Sequence, residues 1–261
     1  MIRSRKALFL LSAFILATPG LSVNAASQQD KNITAEQVVE SSIFIYGSRP
    51  VLDQIRRNGV ERGRITRVTT DGKTEESTYE RRFVRGTSSE KDKVRLDQKL
   101  PSMEYSLISS EGQLWGVING AAFVPRTDTA KTFMSQQRHS IDTLLRYKEN
   151  GSTLKLIGKE KQKGLDFYVI DLTDKENLTT RYYISARSLR VLWLEYQEAP
   201  EPGAAPVKYT REFHDYRPVQ STLFPYRSVL LEDGKQTQES RTLSVTFGVK
   251  IDDALFRNPE A

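Results

Sequence analysis

The chain has 261 residues, 38% hydrophobic and 28% charged, with a formal charge of +6 and a mean hydropathy of −0.52, which suffices for one good core in one or two domains. It has no cysteine, so disulfide scaffolds, thiolate zinc sites, iron–sulfur clusters, cysteine nucleophiles and the acylated cysteine of a lipoprotein are excluded. With His139 and His214 as its two histidines, the chain has no histidine-rich metal site, and nothing in it asks for a cofactor.

Residues 1–25 have the form of a cleaved secretory signal: Arg3, Arg5 and Lys6, then an apolar run from Ala7 to Ala17, a break at Thr18-Pro19-Gly20, and Val23 and Ala25 at the cleavage positions. Eleven helical residues rise about 17 Å, too little for a bilayer core, so no membrane segment is expected after cleavage. The leader takes three bases and no acid with it, which halves the formal charge. Basicity is therefore a poor argument for nucleic acid, and no aromatic-plus-glycine recognition motif supports one. An exported chain without cysteine suits a bacterial periplasm.

Thr34 and Gln37 stand at capping-box spacing before Val38, Val39, Ile43 and Phe44, which predicts a helix from Ala35 to about Gly47. Ser48 and Pro50 start a second helix carrying Val51, Leu52 and Ile55, with Gly59 expected to close it. From Val60 to Val124, Asp71-Gly72, Glu111-Gly112 and Asn119-Gly120 punctuate runs rich in Thr, Tyr, Val, Ile and Phe, the pattern of consecutive antiparallel hairpins. Thr127 to Tyr147 reads as one long helix with Phe133, Met134, Ile141, Leu144 and Leu145 on its apolar stripe and Arg138, His139 and Asp142 elsewhere. Seven further strand runs follow between Thr153 and Val249. The proline-rich stretch Ala199 to Pro206 between two of them is expected to be a long hairpin loop rather than a domain linker. Ten to twelve strands with two helical patches predict a mainly β fold, one large curved antiparallel sheet with helices on a face, in a single domain over 26–261.

No catalytic constellation stands out. Glu111, Asp128, Asp142, Asp171, Glu195 and Asp215 show no spacing that selects a pair, and surface carboxylates are the default on a half-solvated sheet. The two histidines have no nucleophile beside them in a productive arrangement, and phosphate-loop, dinucleotide and nucleophile-elbow motifs are missing. The alternating strands are more informative: Leu192, Leu194 and Tyr196 share a face, as do Leu243, Val245, Phe247 and Val249. Such an apolar face serves either as ordinary core or as the wall of a pocket for an apolar ligand.

The segment from Tyr209 to Val219, the following Leu223-Phe224-Pro225-Tyr226-Arg227, and the terminal Ile251-Asp252-Asp253-Ala254-Leu255-Phe256 resemble the outer-membrane lipoprotein-sorting (LolA/LolB-like) superfamily, especially the exported LolA-like proteins common in acidobacteria. The paired helices before residue 59 are similar too. Where relatives usually carry Gly before the Phe-Pro strand, Ser221-Thr222 stand here. The resemblance implies an incomplete β-barrel, a half-barrel whose concave apolar face, lidded by helices, holds acyl chains. Its functional reading is a periplasmic soluble carrier or sensor of lipid or acylated lipoprotein, without chemistry. The alternatives are an envelope scaffold that binds a protein partner with the same sheet, and, further off, an enzyme. On the carrier reading the cavity and lid comprise Met134, Ile141, Leu145, Leu192, Leu194, Leu243, Val245 and Phe247.

Overall fold

The computed structural model describes residues 33–259 apart from 70, 163, 201 and 202; the signal segment at 1–25 lies outside the described residues. Helix α1 (Ala35–Tyr46) begins as the sequence requires. The Thr34 hydroxyl accepts from the Gln37 amide and the Gln37 side chain accepts from the Thr34 amide, a reciprocal cap that contributes about 1 kcal/mol. Gly47, with φ of 136°, ends it. Helix α2 (Arg49–Ile55) is shorter than expected: Gly59 does not close it but lies inside the first strand, β1 (Asn58–Val68). There Gly59 and Gly63 leave room for rings lying across them, since a Cβ at Gly63 would stand 2.6 Å from the Tyr79 ring.

Among the described residues thirteen strands form one antiparallel sheet. After β1 come β2 (Thr74–Val84), β3 (Lys93–Lys99), β4 (Glu104–Ser110), β5 (Gln113–Ile118) and β6 (Ala121–Phe123), each paired with the one before. The second series is β7 (Thr153–Gln162), β8 (Leu165–Thr173), β9 (Thr179–Ser185), β10 (Val191–Glu198), β11 (Val207–Val219), β12 (Thr222–Glu232) and β13 (Lys235–Phe247). It too pairs in sequence order, and β13 then joins β1. The first and last strands thus meet in the middle of the sheet, and β6 and β7 are its two edges. Asn119 and Gly120 both have positive φ at the β5–β6 turn, as expected, and β10 and β11 pair antiparallel with Glu198 opposite Val207, so the two strands form a hairpin.

The chain passes from the β6 edge to the β7 edge through helices α3 (Thr127–Arg138) and α4 (Ile141–Leu145). Strand twist accumulated over so many strands keeps the sheet from lying flat, so it coils, remaining open, and the connection crosses its inner face. The single helix expected over Thr127–Tyr147 is broken at His139-Ser140. Ser140 is extended (φ −137°, ψ 163°) and caps α4 by accepting from the Thr143 amide, which a continuous helix would forbid. His139, expected off the apolar stripe, is only 2% exposed. One ring nitrogen bonds Thr180 Oγ1 at 2.6 Å, the other bonds Glu198 Oε1 at 3.0 Å, and the ring stacks on Tyr196 at 3.8 Å.

Two bulges change which face side chains take. The β1–β13 register shifts where Arg62 opposes Ser244 and Gly63 opposes Thr242, which leaves Leu243 as the extra residue. Leu243 is consequently 62% exposed, while Val245 and Phe247 stay buried, packed with Phe83, Val94, Leu107 and Phe133. Past the bulge the inner face is taken by Thr242 and Ser240, opposite Gly63 and Ile65. In β10 the register shifts between Val191 and Trp193, and Leu192 packs with Trp193 against Phe167, Val169 and Tyr183, on the face opposite Leu194 and Tyr196. Leu192 and Leu243 therefore do not share the inner face assigned to them by simple alternation. The C-terminal Ile251–Phe256 segment covers the outer face of the first series, where Phe256 packs on Ile108 and Trp115.

Candidate functional site

A cavity of about 530 Å³ lies between the inner face of the sheet and the α3–α4 connection. Phe133, Met134 and Ile141 line it from the helices, and Ile65, Leu96, Phe213 and Phe224 supply apolar wall from the strands. Part of its wall, however, is polar. Glu61 and Arg81 face each other across β1–β2, Tyr79 pairs with Gly63, and Ser228 pairs with Ser240 across β12–β13, all on this face. The Tyr79 hydroxyl donates to Glu61 Oε1 at 2.5 Å, Thr242 Oγ1 donates to the same oxygen at 2.9 Å, and Arg81 Nη1 stands 3.9 Å from Glu61 Oε2. Burial, and then the Glu61 charge, push the Tyr79 hydroxyl far above its ordinary pKa, so it is a fixed donor. The uniformly apolar concave face implied by the resemblance is thus corrected: a hydrogen-bonded polar group interrupts the apolar wall.

The two halves of the covering segment are held differently. Helix α4 is locked by ions: Asp142 accepts from Arg85 Nη2 and from Arg56 Nη1 at 3.4 Å, and Asp92 binds Arg85 at 3.0 Å and Arg146 at 2.7 Å. Burial raises the Asp142 pKa, but the charges of Arg85 and Arg56 outweigh it and hold the carboxyl well below the usual range. Ile141, Leu144 and Leu145 are buried beneath, and Tyr182 donates to the Ser140 carbonyl at 2.8 Å. Helix α3, by contrast, buries only Phe133 and Ser135, leaving Met134 38% exposed. Arg211 reaches its Gln136 carbonyl at 3.4 Å.

Of the residues singled out in the sequence, Met134 and Ile141 line the cavity, Leu145, Leu194, Val245 and Phe247 are packed into its surroundings, and Leu192 and Leu243 lie elsewhere. Glu61, Tyr79, Arg81 and Arg211 were missed. Their signal was an inward parity shared with apolar neighbours, as in Tyr209-x-Arg211-x-Phe213. The six carboxylates considered for catalysis form no pair. Asp171 binds Arg181, Glu195 binds Lys208, Asp215 binds Arg217, Asp128 binds Arg126, Asp142 belongs to the α4 network, and Glu111 sits in the β4–β5 turn. Among the described residues no group of three or more His, Asp or Glu gathers to hold a metal, and no helix is long and apolar enough to cross a membrane.

An open antiparallel half-barrel with a helical cover over its inner face defines a LolA-like fold, and solved structures agree. A LolA-superfamily protein from Nitrosomonas europaea superposes with a TM-score of 0.61 at 12% identity, over 88% of this chain and 100% of that one. A DUF1329-family protein from Desulfovibrio piger gives 0.62 at 11% identity (88% and 99%), and an outer-membrane lipoprotein-sorting protein domain from Vibrio parahaemolyticus 0.56 at 11% (84% and 97%). No protein-family model matches the sequence, and no curated protein matches it.

Proposed function

We propose that the mature chain, over residues 26–261, is a periplasmic carrier or sensor that shelters the hydrocarbon part of a lipid or of an acylated lipoprotein and performs no chemistry on it. The observation that carries this reading is the cavity beneath a cover anchored at α4 and lightly packed at α3, on a LolA-like fold. Binding needs only burial: at ~25 cal/mol per Å², an acyl chain hiding about 300 Å² gains roughly 7 kcal/mol before ordering costs. On this reading the extended Ser140 is the hinge about which α3 opens, and the chain lies against Phe133, Met134 and Ile141, which line the cavity.

The test is native mass spectrometry with organic extraction of protein purified from its host, paired with uptake of a fluorescent fatty acid by the delipidated protein. A lipid adduct and saturable uptake are expected. Ile141→Asp, which puts an unpaired carboxylate on the buried face of the cover, should abolish uptake in a protein that remains folded by circular dichroism. A chain that carries no lipid and takes up none would overturn the reading in favour of a protein-binding scaffold.

A further inference from the structure

The alternation of β11 puts Arg211 on the inner face between Tyr209 and Phe213, opposite Leu194 on β10 and Leu230 on β12. Its guanidinium lines the cavity and lies over the Phe213 ring at 5.4 Å. Of its five N–H donors, one makes a long bond, to the Gln136 carbonyl at 3.4 Å. Among the described residues it has no ion pair. The other arginines around the cavity are neutralised: Arg56 and Arg85 by Asp142, Arg146 by Asp92, Arg138 by Glu176. Arg81 has Glu61 at 3.9 Å, and that carboxylate already accepts from Tyr79 and Thr242.

Arg81 and Arg211 thus have one carboxylate, Glu61, between them. Burial, the largest influence, lowers the Arg211 pKa. Arg211, Arg81 and Glu61 line the same cavity, and the charges of Glu61 and Arg81 act on Arg211 in opposite directions. Arg211 is half-buried, and a cation withdrawn from water without a counter-charge is costly; it is tolerated where that charge arrives with a ligand. Arginine is also the side chain whose planar fork fits two oxygens of one anion.

We propose that the cavity binds an amphiphile through an anionic head group, a carboxylate or a phosphate ester, which pairs with Arg211 and faces Arg81, with Ser228 and Ser240 beside it as hydroxyl donors. The inference rests on the carrier reading, which lays the hydrocarbon tail against Phe133, Met134 and Ile141. The two are separable because a tail binds without a charged head.

The experiment is titration of delipidated full-length protein at pH 7.5 with three ligands of equal chain length: oleate, oleoyl lysophosphatidic acid and oleyl alcohol. Displacement of a fluorescent fatty alcohol gives the affinities for the wild type, Arg211→Met and Arg211→Lys. One anion or both should bind at least tenfold more tightly than the alcohol, and the stronger of the two identifies the head-group chemistry. Arg211→Met should erase that preference, lowering anion affinity about 10- to 100-fold while leaving the alcohol unchanged, in line with a lost charge-assisted bond. Arg211→Lys should keep part of it. Because the unliganded cation has no carboxylate partner, the melting temperature of ligand-free Arg211→Met should not fall below that of the wild type, which a purely structural arginine would not allow. Equal wild-type affinity for all three ligands, or an equal loss for all three in Arg211→Met, overturns the head-group inference alone. Failure of all three, the alcohol included, overturns the carrier reading and this inference with it. The wild-type preference is decisive even if the methionine variant does not fold.

Discussion

Replacing Asp142 by Asn keeps the side chain's size and one acceptor oxygen but removes the charge shared by Arg85 and Arg56. The two arginine side chains are 14% and 8% exposed, whereas Asp142 is 31% exposed. Breaking a fully buried pair costs about 3–5 kcal/mol; solvent access at Asp142, together with the partner that Arg85 keeps in Asp92, brings the expected loss to about 2 kcal/mol. Urea unfolding followed by circular dichroism measures it. The pH dependence has a definite sign. Because the folded carboxyl is held below its ordinary value, its contribution is fully present above about pH 4 and is lost as pH falls toward the depressed folded value. The gap between wild type and Asp142→Asn should therefore be widest near pH 7 and shrink progressively between pH 4 and pH 2. A gap under about 0.5 kcal/mol at pH 7, or one of constant size down to pH 2, would refute the claim that this network anchors α4.

Two further outcomes follow from contacts away from the cavity. The Gln220 side chain stands in for a neighbouring strand by accepting from the Phe247 amide at 2.7 Å and donating to its carbonyl at 3.1 Å, so Gln220→Ala should cost about 2 kcal/mol in urea, with Gln220→Glu intermediate. Arg49, joined by Lys148 and the Tyr147 hydroxyl, lowers the Glu40 carboxyl from an ordinary 4.5 to about 2 against the opposing effect of burial. Glu40→Gln should cost about 0.5 kcal/mol at pH 7, the pair being about one third exposed. That difference should vanish as acid titration passes from pH 4.5 to about pH 2.

What was legible in the sequence was local. The Thr34–Gln37 cap, the Asn119-Gly120 turn and the β10–β11 hairpin depend on residues close to one another in the chain, and each is where the sequence placed it. The LolA-like half-barrel was legible through the motifs of the C-terminal third. Features set by partners far along the chain were not. The break at His139-Ser140 owes its stability to Thr180 and Glu198, and the bulges that displace Leu192 and Leu243 are properties of strand pairing that alternation within one strand does not reveal. The cavity escaped for the same reason. Glu61, Tyr79 and Thr242 become one hydrogen-bonded group only when β1 lies between β2 and β13. The turn that lacks the usual glycine illustrates the point: Gln220 and Ser221 both adopt positive φ there, and the glutamine's distant backbone partners help hold a conformation that side-chain-bearing residues seldom take.

The order of the strands also bears on how the chain reaches this state. Every pairing in the sheet joins neighbours in sequence except β1 with β13, so two meanders of low contact order can zip up by successive hairpins before one long-range strand pairing joins them. Loop-closure entropy for nearly the whole chain falls on that one event, where Val60, Glu61 and Arg62 meet Thr246, Val245 and Ser244. Nucleation is thus distributed and completion is concentrated. A polypeptide severed between residues 124 and 126, ahead of α3, would leave each meander contiguous, so that two fragments mixed in trans should reconstitute the whole sheet along one bimolecular edge.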